Sequence, residues 1–214
     1  MAPTEDPATS PSTKQTGFYP FFGVNTPFDP KVTFVTARFL PPLAFGIIRL
    51  IFGLYAITAT IVDIVLTGTH FLFPRMLLIS SCVVVYNADI DEYFSFFTNI
   101  TYISLAFYFL VSGVETIWYS QTGVSPLTRW WRPFQLAHTV LFTTIITFPI
   151  VVTVVFWSLL SGPSTFSSLW NAWSNISKHA LNSVFSLFEI FFSAVGLQPW
   201  SHIIWIIFFL GITP

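Results

Sequence analysis

Few side chains in this sequence can do chemistry, and most of them sit in or beside long apolar runs. The stretch "FFTNITYISLAFYFL", residues 96–110, places Thr98, Asn99 and Thr101 where an apolar helix begins. A threonine at such a start can serve as an N-cap for free backbone N–H groups. It can also be a hydroxyl held for reaction at the lipid surface, which needs a base beside it. The tripeptides Asn99-Ile100-Thr101 and Asn175-Ile176-Ser177 match the N-glycosylation pattern. Both abut a span, out of reach of a glycan-transferring enzyme. His179 opens another apolar run, "HALNSVFSLFEIFFSAV", with Glu189 ten residues deeper, ~15 Å along a helix. Asp63 falls near the same face as Thr98 and His179. Arg49, Glu115 and His138 fall near the opposite face, where a structural ion-pair cluster or snorkelling to the interface is expected ahead of a proton or substrate path. The four histidines, His70, His138, His179 and His202, do not pair on one helix, and Cys82 is the single cysteine. No metal site, haem, cofactor or disulfide framework is therefore expected. HExxH, GxSxG and a Gly-rich phosphate loop do not occur.

The elements that must position these groups follow from composition. The chain has 214 residues, of which 54% are hydrophobic and 8% charged, with a mean hydropathy of +0.73. A soluble domain carries about 25% charged residues. The reading is an all-α, polytopic membrane helix bundle, since helices satisfy their own backbone groups in lipid. The net charge of -1 gives no reason to expect nucleic acid as a partner. Four full spans are predicted over 42–66, 96–118, 134–160 and 179–195, with a kink at Pro149 in the third. A fifth apolar segment, "WSHIIWIIFFLGITP", falls about five residues short of a crossing. Residues 71–86 contain Pro74 and Arg75 and read as re-entrant or interfacial. Residues 1–40 begin Pro-, Ser- and Thr-rich without a signal peptide and read as a disordered cytosolic tail, leaving 41–214 as the transmembrane domain. Four spans with a cytosolic N-terminus put Lys14, Lys31, Arg38, Arg129 and Arg132 inside, and only Arg75 and Lys178 outside. The second and fourth spans then run parallel, so Thr98 and His179 meet the same membrane face. The expected location is a multi-pass protein of an internal membrane such as the endoplasmic reticulum.

Three segments, "YFSFFTNITYISLAFYFL", "TTIITFPIVVTVVFWSLL" and "WNAWSNISKHALNSVFSLFEI", resemble the androgen-induced and androgen-dependent TFPI-regulating protein family, particularly its fungal relatives. The resemblance covers roughly residues 90–205. It implies a multi-span fold and hydrolysis of fatty acid esters of hydroxy fatty acids by a threonine nucleophile. By motif, that threonine falls on Thr98, after the aromatic pair Phe96-Phe97. The family's essential histidine falls on His179, four residues after Asn175 and ten before Glu189. Family members usually continue into a further span, so the chain resembles a C-terminally shortened member. His179 is then the natural base, because imidazole titrates near neutrality, and the β-branch of Thr98 restricts its rotamers. Oxyanion donors are expected from Asn99, Asn175, Asn182 or backbone N–H groups, with Asp63 and Glu189 in supporting places. The expected function is hydrolysis of a lipid ester within the bilayer. The alternative is a non-catalytic integral membrane protein that binds lipid or acts as a scaffold. A transporter is disfavoured, since no repeat symmetry is visible.

Overall fold

The computed structural model describes residues 15–75 and 97–212. Among them the regular structure is helical: α1 Phe18–Phe21, α2 Pro42–Arg75, α3 Phe97–Thr122, α4 Arg132–Val155, α5 Leu169–Ile176, α6 Asn182–Phe192 and α7 Ile203–Ile212. A π-turn at Phe156–Leu160 extends α4, and a second at Ser177–Leu181 joins α5 to α6. Proline stands in the first turn of both α2 and α4, where its missing N–H costs nothing. An antiparallel bridge links Ala37 to Ser193.

Among the described residues, three helices are long and apolar enough to cross a membrane: Pro42–Leu66, Phe97–Thr122 and Arg132–Leu160. The fourth predicted span, 179–195, does not join them. Its helix starts earlier, at Leu169, but the first half carries Asn171, Ser174, Asn175, Ser177, Lys178 and His179. The apolar part, Asn182–Phe192, is 11 residues, or ~16 Å of rise, about half of a hydrocarbon core. The last apolar segment is a short helix, Trp200–Gly211, as its length predicts. Of the 71–86 piece, residues 71–75 continue α2, and the remainder lies outside the described residues.

The tail predicted over 1–40 is not disordered where it is described. From residue 15 onward it folds against the bundle, with Phe22, Val24, Phe28, Phe34 and Val35 buried. The Asp29 carboxylate accepts from the backbone N–H groups of Thr33 and Phe34 at 2.9 and 3.0 Å. The Phe34 ring meets His138 at 5.3 Å and Phe142 at 5.7 Å. Serine stops at Ser12 and aromatic residues begin at Phe18, among which prolines continue at Pro20, Pro27 and Pro30. The second half of the segment thus has enough apolar surface to offset the entropy of ordering it. Arg132 donates to Thr26 Oγ1 at 3.2 Å, which puts this segment at the end of the bundle where α3 passes to α4.

Helices α2 and α3 pack closest. A Cβ on Gly53 would lie 2.8 Å from the Leu110 backbone N, and one on Gly113 2.9 Å from that of Leu50. Small residues at such crossings let backbones approach where lipid offers no hydrophobic drive. Gly53→Leu is expected to lower the thermal midpoint in detergent, since overpacking costs about 1–3 kcal/mol or more. Gly211→Ala, with nothing within 4 Å, is expected to leave it unchanged.

The α4 span separates two exposed positions, Gln121 and Ser167. In a Cys82→Ser background, Gln121→Cys and Ser167→Cys are expected to react with an impermeant thiol reagent from opposite sides of a sealed vesicle. Labelling of both from one side would remove α4 as a crossing.

Candidate active site

Side chains from α2, α3 and the end of α4 converge on the helix 169–192 near its π-turn, Ser177–Leu181. The Ser177 hydroxyl hydrogen-bonds Tyr102 Oη of α3 at 2.9 Å and Tyr55 Oη of α2 at 3.1 Å. Asp63 of α2 pairs with Lys178 and accepts from Ser174 Oγ at 3.0 Å. From the end of α4, Trp157 Nε1 donates to the His179 carbonyl at 2.8 Å. The Phe156 ring lies flat on the His179 imidazole, with centroids 3.6 Å apart and planes 3° from parallel. A π-turn widens the helix by one residue, and such turns occur frequently at functional sites. Here two of them face each other through Phe156 and His179.

This clamp fixes the imidazole through its ring face and backbone and leaves Nδ1 uncommitted. His179 is buried, and its Nδ1 has no hydrogen-bond partner among the described residues. A buried polar atom without a partner costs about 1–3 kcal/mol, so it calls for a substrate, a water or a reacting hydroxyl.

Thr98 is the second residue of α3 and is half-buried. Its carbonyl accepts from Thr101 Oγ1 at 2.9 Å. Tyr102 stands one turn further on the same helix, and a tyrosine on a helix leans toward the N-terminus. The Tyr102–Ser177 bond thus ties the π-turn of His179 to the end of α3 that carries Thr98.

The predicted supporting residues divide. Asp63 stays at this end, held by Lys178 and Ser174. Asn175 Nδ2 donates to the Thr165 carbonyl at 3.0 Å, spending one of its two N–H groups on the turn before α5. Asn182 is buried, and its Oδ1 accepts from Thr153 Oγ1 at 3.1 Å and from the Ser183 N–H at 2.6 Å. Asn99 is buried within α3, and Thr101, the third residue of its sequon, is 6% exposed. That burial fits a packed helix rather than a glycan acceptor.

Glu189 belongs elsewhere, which corrects its predicted place in support of His179. Fully buried, it accepts at Oε2 from Arg49 Nε at 3.1 Å, and at Oε1 from Tyr108 Oη at 2.8 Å and from Arg49 Nη2. Arg49 also donates to the Phe34 carbonyl at 2.8 Å and Thr116 Oγ1 at 2.7 Å, and lies over the Phe45 ring at 3.9 Å. The expected Arg49–Glu115–His138 cluster therefore has a different acid at its centre. Glu115 and His138 approach each other only to 3.9 Å.

An apolar cleft of about 660 Å³ runs between α3 and α4, with Trp205 and Phe209 of α7 as a third wall. Phe97 and Phe148 pair at 5.2 Å at one end. Thr101 lines the cleft and Thr98 does not. Sequence reasoning missed Tyr55, Tyr102 and Ser177, the residues that join the helices here. Tyr102 had a usable signal, one turn from Thr98 on the same face.

No group of three or more His, Cys, Asp or Glu that could hold a metal ion occurs among the described residues. No family model matches the chain, and no curated protein or solved structure matches it.

Proposed function

We propose that the protein is a membrane-embedded hydrolase of lipid esters, of the family it resembles, with Thr98 as nucleophile and His179 as base. The observation that carries this reading is the buried, unpartnered Nδ1 of His179, on a turn tied through Ser177 and Tyr102 to the Thr98 end of α3. In the first step the Thr98 hydroxyl oxygen attacks the ester carbonyl while His179 Nδ1 takes its proton. The imidazolium returns the proton to the departing alkoxide, which leaves as an alcohol. Water, deprotonated by the same imidazole, then attacks the acyl-threonine carbonyl; the Thr98 oxygen leaves, takes that proton from the imidazolium, and the fatty acid is released. Phe156, Trp157 and the Asp63–Lys178 pair fix the turn in place so that the imidazole does not swing during turnover. The fatty acid ester of a hydroxy fatty acid is the substrate class, and an internal membrane such as the endoplasmic reticulum is the site of action.

A non-catalytic lipid-binding protein is the second reading. It is favoured by the cleft, whose lining does not include Thr98. Purified protein incubated with a branched fatty ester separates the two. Catalytic release of fatty acid supports the hydrolase, and its absence from well-folded full-length protein supports the binding protein.

A further inference from the structure

We infer that Glu115 of α3 and His138 of α4 form a proton-binding site inside the bundle, with the proton carried by the Glu115 carboxyl and offered to a neutral imidazole. Glu115 stands 17 residues beyond Thr98 on α3, ~25 Å along the helix, so the site is separate from the proposed ester chemistry.

The pair is buried in a way that suits no charged state. Both side chains are 3% exposed, and Glu115 Oε2 lies 3.9 Å from His138 Nε2. Neither oxygen of Glu115 has a hydrogen-bond partner, and neither does His138 Nε2. A buried carboxylate needs donors on its oxygens and a counter-charge close by. A charge-assisted bond to an imidazolium would draw the two atoms to ~2.7–2.9 Å. The gap is too wide for one.

Arg49 does not supply what is missing. All five of its N–H groups are spent: Nε and Nη2 on Glu189, Nη2 also on Tyr108 Oη at 3.5 Å, and Nη1 on the Phe34 carbonyl and Thr116 Oγ1. Its charge is matched by Glu189, to which the Tyr108 hydroxyl also donates. Arg49 of α2, Tyr108 of α3 and Glu189 of α6 are thus satisfied without the pair. From the N-terminal segment, α3 and the turn before α4, the imidazole meets the rings of Phe34, Tyr108 and Trp130, at 5.3, 5.5 and 6.3 Å. Ser112, one turn back from Glu115, is buried with its own hydroxyl unpartnered, so it gives the carboxyl no bond.

A proton resolves the site. On Glu115 it removes the uncompensated charge and creates one O–H donor for the lone pair of His138 Nε2. A side-chain movement of about 1 Å brings the two atoms within hydrogen-bond range. A metal ion is a poorer occupant. The pair offers two ligands where zinc takes roughly three or four from protein, and no third His, Cys, Asp or Glu joins them among the described residues.

Infrared spectra of the full-length protein in lipid vesicles at neutral pH test the assignment. The wild type is expected to show the C=O stretch of a protonated carboxylic acid, and Glu115→Gln to lose it. His138→Gln is expected to keep the band and displace it, because the acceptor of its hydrogen bond has changed. If Glu115→Gln does not fold, wild-type protein with carbon-13 at the glutamate side-chain carboxyls takes its place, and the band is expected to move with the label. No such band in the wild type, a band undiminished in folded Glu115→Gln, or one indifferent to the label overturns the inference. A band unmoved in folded His138→Gln removes His138 from the site. A stoichiometric metal ion in the purified wild type that is lost from Glu115→Gln would put a metal where we place the proton, and would also overturn it.

Discussion

Glu189→Ala or Arg49→Ala alone is expected to unfold the bundle, whereas replacing both by methionine is expected to leave it close to wild-type stability. Both side chains are fully buried, and each is the other's ion-pair partner across 140 residues of sequence. Removing one leaves a buried charge with no counter-charge, which costs about 3–5 kcal/mol. That is a large part of the 5–15 kcal/mol that holds a typical domain together. The double apolar replacement removes the desolvation cost along with the attraction and is therefore often neutral. Tyr108→Phe deletes one charge-assisted hydrogen bond to Glu189 and is expected to cost about 1.5–3 kcal/mol. Thermal unfolding in detergent checks all of these. A Glu189→Ala protein that melts normally yet has lost ester hydrolysis would transfer this pair from the scaffold to the chemistry.

How far the fold was legible depended on how locally each element is specified. The three helices long and apolar enough to cross come from apolar runs of 25 to 29 residues broken by few charges, among them Arg49, Asp63 and Glu115, and a backbone in lipid has no other way to satisfy itself. The helix 169–192 was harder to read because its polar half faces other helices through Tyr55, Tyr102 and Asp63. The fold of residues 15–40 was hidden for a similar reason. Phe34 is buried by His138 and Phe142, more than a hundred residues away, and nothing in its neighbours announces them.

The Arg49–Glu189 pair shows a narrower kind of loss. Arg49 lies seven residues in from Pro42, and Glu189 ten in from His179, about 10 and 15 Å from opposite faces of a ~30 Å core. The depths are compatible. Sorting each residue by its nearer membrane face separated two partners that counting from both faces would have joined. The Asp63–Lys178 pair was half legible, since both were assigned to one face and only the pairing was missing.

At the candidate site, Thr98→Ala is expected to end ester turnover, and His179→Ala to slow it by ~10²–10⁴-fold, the scale of a lost general base. The stability cost of Thr98→Ala should be that of a lost N-cap at most, about 0.5–2 kcal/mol. Because nucleophile and base act as one unit, their losses do not add, and the double variant is expected to be scarcely slower than Thr98→Ala. Fatty acid release from a branched ester, set beside the melting temperature of each variant, separates chemistry from folding. An additive double variant would mean that the two residues act in separate steps or separate places. Phe156→Leu, which removes the ring stacked on His179, is expected to lower the maximal rate more than it raises the substrate concentration needed for half of it.

Covalent trapping tests the central claim most directly. Full-length protein treated with a fluorophosphonate of the serine-hydrolase type, then digested and mapped by mass spectrometry, should carry its adduct on the Thr98 hydroxyl. The adduct should vanish in Thr98→Ala and form far more slowly in His179→Ala. An adduct on Thr101, on any other residue, or at undiminished yield in Thr98→Ala would contradict the assignment.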